Sequence, residues 1–252
     1  MLQTKQFERF RKALEALPFK DRYERDELIC EKYLLFSEGR LNAYYAPFHY
    51  LNGNARVILV GLTPGWTQMH NAFRAAKYGM AHGFEADRLF QFIDRSGSFS
   101  GSMRPILVGM LDGIGLHDCL QIGSCDELFR EGSDLVHFTS VISAPIFKNG
   151  ENYSASSARQ LLGLKSFKLF ILENLADELK ALPDAMIVPL GKVAGEVIAF
   201  LNKEKKTSGD RSLVGFPHPS GANGHRPKLF AEGQARWRKQ VRKFFPVNTL
   251  RF

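Results

Sequence analysis

Four short runs of this chain are almost continuously apolar: ARVILVG (55–61), DLVHFTSVI (134–142), AMIVPLG (185–191) and SLVGFP (212–217). Each is rich in β-branched or aromatic residues and bounded by turn formers, so each reads as a strand. A strand wetted on one face alternates apolar and polar positions, whereas a continuous run is buried on both faces. Helical patterns fill the intervals, over 85–95, 104–116, 158–182 and 192–205. Strands that alternate with helices need crossover connections. The expected fold is therefore α/β: a three-layer sandwich around a central, mostly parallel four-stranded sheet. A chain of 252 residues with 44% apolar content can bury that core as one domain spanning 1–252. Residues 1–50, ending in the aromatic YYAPFHY (44–50), read as an N-terminal helical cap on it.

Charge is concentrated at one place. From Arg226 to Phe252 eight cations face Glu232 alone, which is +7 of the chain's +8. An excess of this kind favours a polyanionic partner, nucleic acid first. In the same stretch Phe230, Trp237, Val241, Phe244 and Phe245 recur at helical spacing, a stripe that reads as core packing with the cations turned outward. The three cysteines, Cys30, Cys119 and Cys125, include no CxxC pair, which excludes a disulfide framework, a four-cysteine zinc site and a cysteine-ligated cluster. No apolar run nears the roughly 20 residues of a membrane span, and the first residues are amphipathic without a signal-peptide core. The expectation is a cytoplasmic monomer with no metal and no cofactor, and no membrane partner.

Ligands of such folds bind beyond the carboxyl ends of the strands. The loop after the first run, GLTPGWTQ (61–68), has no GK[ST] and no GxGxxG, and Pro64 removes an amide that would cradle phosphate. HExxH, the HxE/PCxxC pair and the GxSxG elbow are all absent, which argues against zinc proteases, zinc deaminases and α/β-hydrolases. The loop after the last run, GFPHPSGANGHR (215–226), sets two histidines among prolines and glycines next to the basic segment.

Together VILVGLTPGW and GFPHPSGANGHR resemble the two signature motifs of the uracil-DNA glycosylase superfamily, in order, strand context and separation of roughly 150 residues. The step IVPLGKVAGEVI (187–198) resembles that family as well, and the likeness spans about Ala55 to Trp237. The resemblance implies a uracil-DNA glycosylase-like fold and a monofunctional DNA glycosylase of base-excision DNA repair. Such an enzyme flips a base out of single- or double-stranded DNA and hydrolyses its N-glycosidic bond. His218 matches the histidine that donates to the departing base. Pro219, Ser220, Gly221 and Asn223 would form a minor-groove clamp, with Arg226, Arg236 and Lys239 as phosphate contacts. Leu62, Gly65, Phe73 and Thr139 would line the base pocket, with Phe73 stacking on the base and Tyr78 and Phe84 as rivals for that role. No lysine stands in either motif to form a Schiff base.

Three departures sharpen the expectation. Thr63 occupies the position at which the family places Asp or Asn to direct the attacking water, so Thr63 is the second catalytic candidate. Asp118, Asp134 and Glu151 are carboxylates that could serve in its place. Gly65 stands where some members carry a bulky tyrosine, and Thr139 where the base-reading Asn is common. Both imply a roomier pocket and a substrate of uracil or a 5-modified pyrimidine, including bulky modified cytosines of the kind met in defence against phage DNA. The alternatives are a catalytically weak or inactive chain that binds DNA or modified bases, and a chain acting on RNA or free nucleosides.

Overall fold

The computed structural model describes residues 2–130, 134–207, 211–221 and 223–246. In chain order the elements are α1 (Leu2–Ala16), α2 (Arg25–Leu28), β1 (Leu34–Glu38), β2 (Leu41–Tyr44), β3 (Val57–Gly61), α3 (Trp66–Ala81), α4 (Ala86–Gly97), α5 (Met103–Gly113), α6 (Leu116–Leu120), β4 (Val136–Ser140), β5 (Ile146–Lys148), β6 (Glu151–Asn152), α7 (Ala158–Leu162), α8 (Lys165–Phe170), α9 (Ala176–Ala181), β7 (Met186–Pro189), α10 (Lys192–Lys203) and α11 (Arg226–Phe244).

The architecture is mixed α/β with a parallel sheet at its centre, ordered β4-β3-β7. Among the described residues that sheet has three strands, not four. Residues 212–217, the fourth expected strand, run beside β7 but form one parallel bridge, Ile187 to Ser212. Two further hydrogen bonds hold them: Leu213 N–H donates to Ile187 O, and Gly191 N–H to Phe216 O, both at 2.9 Å. The ladder fails for a local reason. Gly215 sits at φ +81°, outside strand geometry, and Pro217 has no amide to donate.

Register then sorts the side chains. Val57 and Leu59 pair across with Val136 and Phe138 and with Met186 and Val188, and all six enter one core with α5, α6 and α11. Ile58, Val60 and Ile187 point the other way, into a core built with α7, α8, α9 and α10. His137 and Thr139 pair with Ile58 and Val60, so they share that second face. Two polar residues at the end of a buried strand need partners from the covering helices.

The first 50 residues are more than a helical cap. They contain β1 and β2, which pair with β5 and β6 in a separate antiparallel sheet of order β1-β2-β5-β6. Its outer hairpin turns at Asn149 and Gly150, with φ +52° and +80°, the conformation that an Asn-Gly pair favours. The expected helix over 158–182 is also divided, into α7, α8, a π-helical turn at Ile171–Leu175 and α9. Asn174 Nδ2 donates to Phe170 O at 2.8 Å inside that wide turn. One extra residue per turn shifts the face that follows it, and here the buried face beyond it includes Glu178.

Helix α11 has 19 residues, about 28 Å of rise. It starts beside the 217–225 loop, and Phe245 just past its end lies under the Arg56 guanidinium, 5.0 Å from the ring centroid. Arg56 precedes β3, so the helix runs from the carboxyl ends of the strands to their amino ends.

Candidate active site

A cavity opens at the carboxyl ends of β3 and β4, as expected for this kind of sheet. The loop after β3 gives it Leu62, Thr63 and Pro64, β4 gives His137 and Thr139, and His218 enters from the last loop. The two sequence motifs, far apart along the chain, therefore meet at one cavity.

His218 is held by its own loop. Its Nδ1 accepts the Ser220 backbone N–H at 3.1 Å, so a neutral ring carries its proton on Nε2. Burial lowers the pKa of the imidazole, which keeps the ring neutral near pH 7. Gly191 makes this placement possible. It takes φ +95°, and a Cβ there would lie 3.0 Å from His218 Cβ. Asn223 Nδ2 donates to His218 O at 3.2 Å. Arg226 Nη1 donates to Pro219 O at 3.3 Å and to Ser220 O at 2.5 Å, bracing the turn from inside.

Thr63 lines the cavity, with its hydroxyl donated to Ala144 O at 2.7 Å. With that proton engaged, the oxygen faces any further partner as an acceptor. Gly65 is not part of the lining. It caps α3, its N–H donating to Gln68 Oε1 at 2.8 Å, while Trp66 N–H donates to Asn152 Oδ1 at 2.8 Å. A Cβ on Gly65 would meet those two side chains at 3.0 and 3.3 Å. Gln68 takes the space and lines the cavity instead.

The aromatic wall also differs from expectation. Phe73 is fully buried on α3, with its ring 4.9 Å from Tyr33 and 6.2 Å from Tyr45. It belongs to the core between α1, α3 and α4 and does not reach the cavity. Tyr78 stacks on His82 at 3.9 Å, and Phe84 packs on Phe92, so neither rival reaches it. The cavity's aromatic residues include Phe99 and Phe138, whose rings are 6.0 Å apart. Phe99 lies just beyond α4 at φ +50°, and its ring would stand 3.3 Å from a Cβ on Gly61. A glycine at the end of β3 is what lets that ring lie across the strand end.

The polar floor is the part that sequence reasoning missed. Thr139 Oγ1 donates to Glu178 Oε2 at 2.5 Å, and His137 Nε2 lies 3.4 Å from the same oxygen. Asp94, from the buried face of α4, accepts from Ser98 Oγ at 3.2 Å. Burial pushes the Asp94 carboxyl up to about 7; His137 opposes that rise and the negative charge of Glu178 adds to it. All five side chains line the cavity. Asp94 and Ser98 sit at i and i+4, but the meeting of that acid with the β4 side chains at one cavity comes from packing between segments distant in sequence, which no local signal reveals. Among the described residues, no three His, Cys, Asp or Glu side chains are grouped to hold a metal ion. The carboxylates expected to stand in for Thr63 lie elsewhere. Asp118 pairs with His117 at 3.2 Å on α6, Asp134 precedes β4 at the far end of the sheet, and Glu151 is exposed on β6.

The basic residues divide. Arg226 braces the turn that carries His218, as described. Arg236 is exposed, donates to Val214 O at 3.3 Å and covers Trp237. Lys239 is exposed thirteen positions along α11 from Arg226, about 20 Å down a helix that leads away from the cavity. It is not gathered with the other site residues.

The chain is 33% identical over 225 residues to the uncharacterized protein YoxB of Bacillus subtilis (strain 168), a match covering 87% of this chain and 86% of that one. No protein-family model matches the chain, and no solved structure does.

Proposed function

We propose, for a chain that belongs to the YoxB family, the function of a monofunctional DNA glycosylase acting on uracil or a 5-modified pyrimidine. The observation that carries this reading is the His218 ring: neutral, with Nδ1 occupied by Ser220 N–H, and therefore presenting Nε2–H in a cavity that also holds Thr63, Thr139 and Phe99.

Hydrolysis of an N-glycosidic bond needs two things. The C1′–N bond breaks with its electron pair leaving on the base, so negative charge grows on the base oxygen and nitrogen atoms while the sugar becomes oxocarbenium-like. Water then bonds to C1′ and gives up a proton. A neutral imidazole N–H suits the first need, because a fixed donor in a dry site stabilises developing charge by about 2.7–4 kcal/mol. An imidazolium would bind ground-state anions too and would cost more to bury. Thr63 suits the second need in a limited way. Its O–H donates to Ala144 O, so its oxygen can accept from water and orient it without acting as a base. A cation at the sugar leaves little work for a base. Phe99 would stack on the extruded base, and the 217–225 turn, stiff through Pro217 and Pro219 and braced by Arg226, would press on the backbone of the strand.

The engaged hydroxyl of Thr63 also favours a second reading, a protein that binds extruded or modified bases without cutting them. Base release separates the two. Purified protein is incubated with single-stranded and duplex oligonucleotides carrying uracil, mismatches or 5-modified cytosines, then heated in alkali. A monofunctional glycosylase yields strand scission at the abasic site only after alkali. Tight binding with no release from any of them would leave the binder.

A further inference from the structure

Two walls of the cavity come from separate turns. One is the loop after β3 with Thr63 and Pro64; the other is the turn at 98–102, after α4, which carries Phe99. Phe99 takes φ +50°, the left-handed region that suits glycine and penalises a bulky side chain. Glycines stand two positions away on either side, at 97 and 101, yet position 99 keeps a phenylalanine. Such a conformation persists only where its surroundings over-determine it, and it is the outlier that points to a use.

Three side chains donate to this turn. Arg104 Nη2 donates to Arg95 O at 2.7 Å and to Ser98 O at 2.8 Å. Asn71 Nδ2 donates to Ser100 Oγ at 3.0 Å. Gln68 Nε2 donates to Ser100 O at 3.1 Å. Gln68 does one thing more than the other two. Its Oε1 accepts the Gly65 N–H, two residues beyond Thr63, so a single amide joins the turn under Phe99 to the loop that bears Thr63. Capping α3 needs only the oxygen of that amide. The nitrogen is not needed for the cap, and it goes to Ser100.

We propose that Gln68 is a positioning residue, a strut that holds the Phe99 ring and the Thr63 oxygen in one register. A base stacked on the ring then has its C1′ beside the water that Thr63 orients. This rests on the glycosylase reading, whose geometry it completes. Stacking tolerates a base that slides on the ring, whereas a misplacement of about 1 Å at the reacting atoms costs about 10²-fold in rate. Loosening the strut should therefore cost rate far more than affinity.

Gln68→Glu tests this, because a carboxylate still accepts the Gly65 N–H and caps α3 but has no proton for Ser100 O. Gln68→Met, uncharged and of similar length, is the second variant and covers a failure of the first to fold. Single-turnover base release at saturating protein, affinity by fluorescence anisotropy and the thermal midpoint are measured for the native chain, both variants, Phe99→Ala and the two double variants. Gln68→Glu is expected to keep the native midpoint, to bind within about twofold of the native chain and to release base about 10²-fold more slowly, with Gln68→Met as slow. In the Phe99→Ala background either change should cost no more than about twofold further. Release by Gln68→Glu at the native rate reduces Gln68 to a cap and overturns the inference, and so do equal losses with and without Phe99; the glycosylase reading stands in both cases. If the native chain cuts no oligonucleotide, that reading falls and the same cycle is read on affinity. A loss that disappears in the Phe99→Ala background then supports the strut, while equal losses, no loss or no binding overturn it.

Discussion

Asp94→Asn is the sharpest probe of the cavity floor. The change keeps the side chain's shape, and the amide oxygen can still accept from Ser98 Oγ, 3.2 Å away in the native chain. What it removes is a charge. Asp94 is 4% exposed, and its carboxyl, ordinarily titrating at 3.8, is pushed up to about 7. The folded chain thus holds a proton that the unfolded chain has lost, and stability falls as pH rises between those values. The loss is absent below 3.8 and complete above about 7. At about 1.4 kcal/mol per pKa unit it amounts to about 2 kcal/mol at pH 5 and about 4 kcal/mol at pH 8.5. An amide at this position carries no such burden. The variant should therefore gain about 2–3 kcal/mol on the native chain between those two pH values. Urea unfolding followed by tryptophan fluorescence reports it, since Trp237 is buried against Phe216 and Phe230. A stability difference that stays constant from pH 5 to pH 8.5 would show that Asp94 is ionised throughout.

Further outcomes follow from the geometry. His218→Ala should slow base release by about 10²–10³-fold, the usual loss on removing one donor to developing charge, with an unchanged thermal midpoint. Phe99→Ala should weaken binding to base-bearing oligonucleotides by about 1–3 kcal/mol, read by fluorescence anisotropy, with folding retained. Phe73→Ala should instead destabilise the fold by about 3–5 kcal/mol in urea, because that ring packs against Tyr33 and Tyr45. Arg226→Ala should weaken DNA binding by loosening the 217–225 turn. Lys239→Ala should leave both the affinity and its slope against log salt unchanged, whereas a slope lower by about one would make Lys239 a phosphate contact.

Much of the scaffold was legible because its signals are local. Val57–Gly61 and Met186–Pro189 are continuous apolar runs, and continuity marks strands buried on both faces; Val136–Ser140 was legible through its β-branched and aromatic content, although His137, Thr139 and Ser140 interrupt the run. The run at 212–217 has the same composition, yet Gly215 and Pro217 allow a bridge and no ladder. Those two residues were visible, and their positional meaning outweighs the apolar count. The small antiparallel sheet went unread because β5 and β6 are three and two residues long, too short to alternate, although Asn149-Gly150 is a strong turn signal by itself. At the site, the loops that bear Thr63 and His218 follow strands and could be placed by rule. Asp94, Phe99 and Glu178 could not. Asp94 and Glu178 lie on ordinary helices and Phe99 in the turn after one, and only packing between segments distant in sequence brings these side chains to one cavity with β4. Phe73 illustrates the converse: proximity to a motif in sequence placed it on a helix whose inner face looks away from the strand ends.

The bridged segment beside β7 has a consequence for how His218 keeps its aim. A ladder would fix the segment's register through repeated backbone hydrogen bonds. Beyond the backbone contacts at Ile187 and Gly191 and the Trp237 and Arg236 hydrogen bonds to Val214 O, its position is set by how Leu213 and Phe216 fill the core, Phe216 against Trp237 with ring centroids 5.1 Å apart. The histidine's reach is thus a matter of volume. A methylene added to or taken from that aromatic cluster would slide the segment along its neighbour and carry the imidazole with it. The hydrophobic interior of α11 acts as the spacer that calibrates the distance between His218 and whatever occupies the cavity.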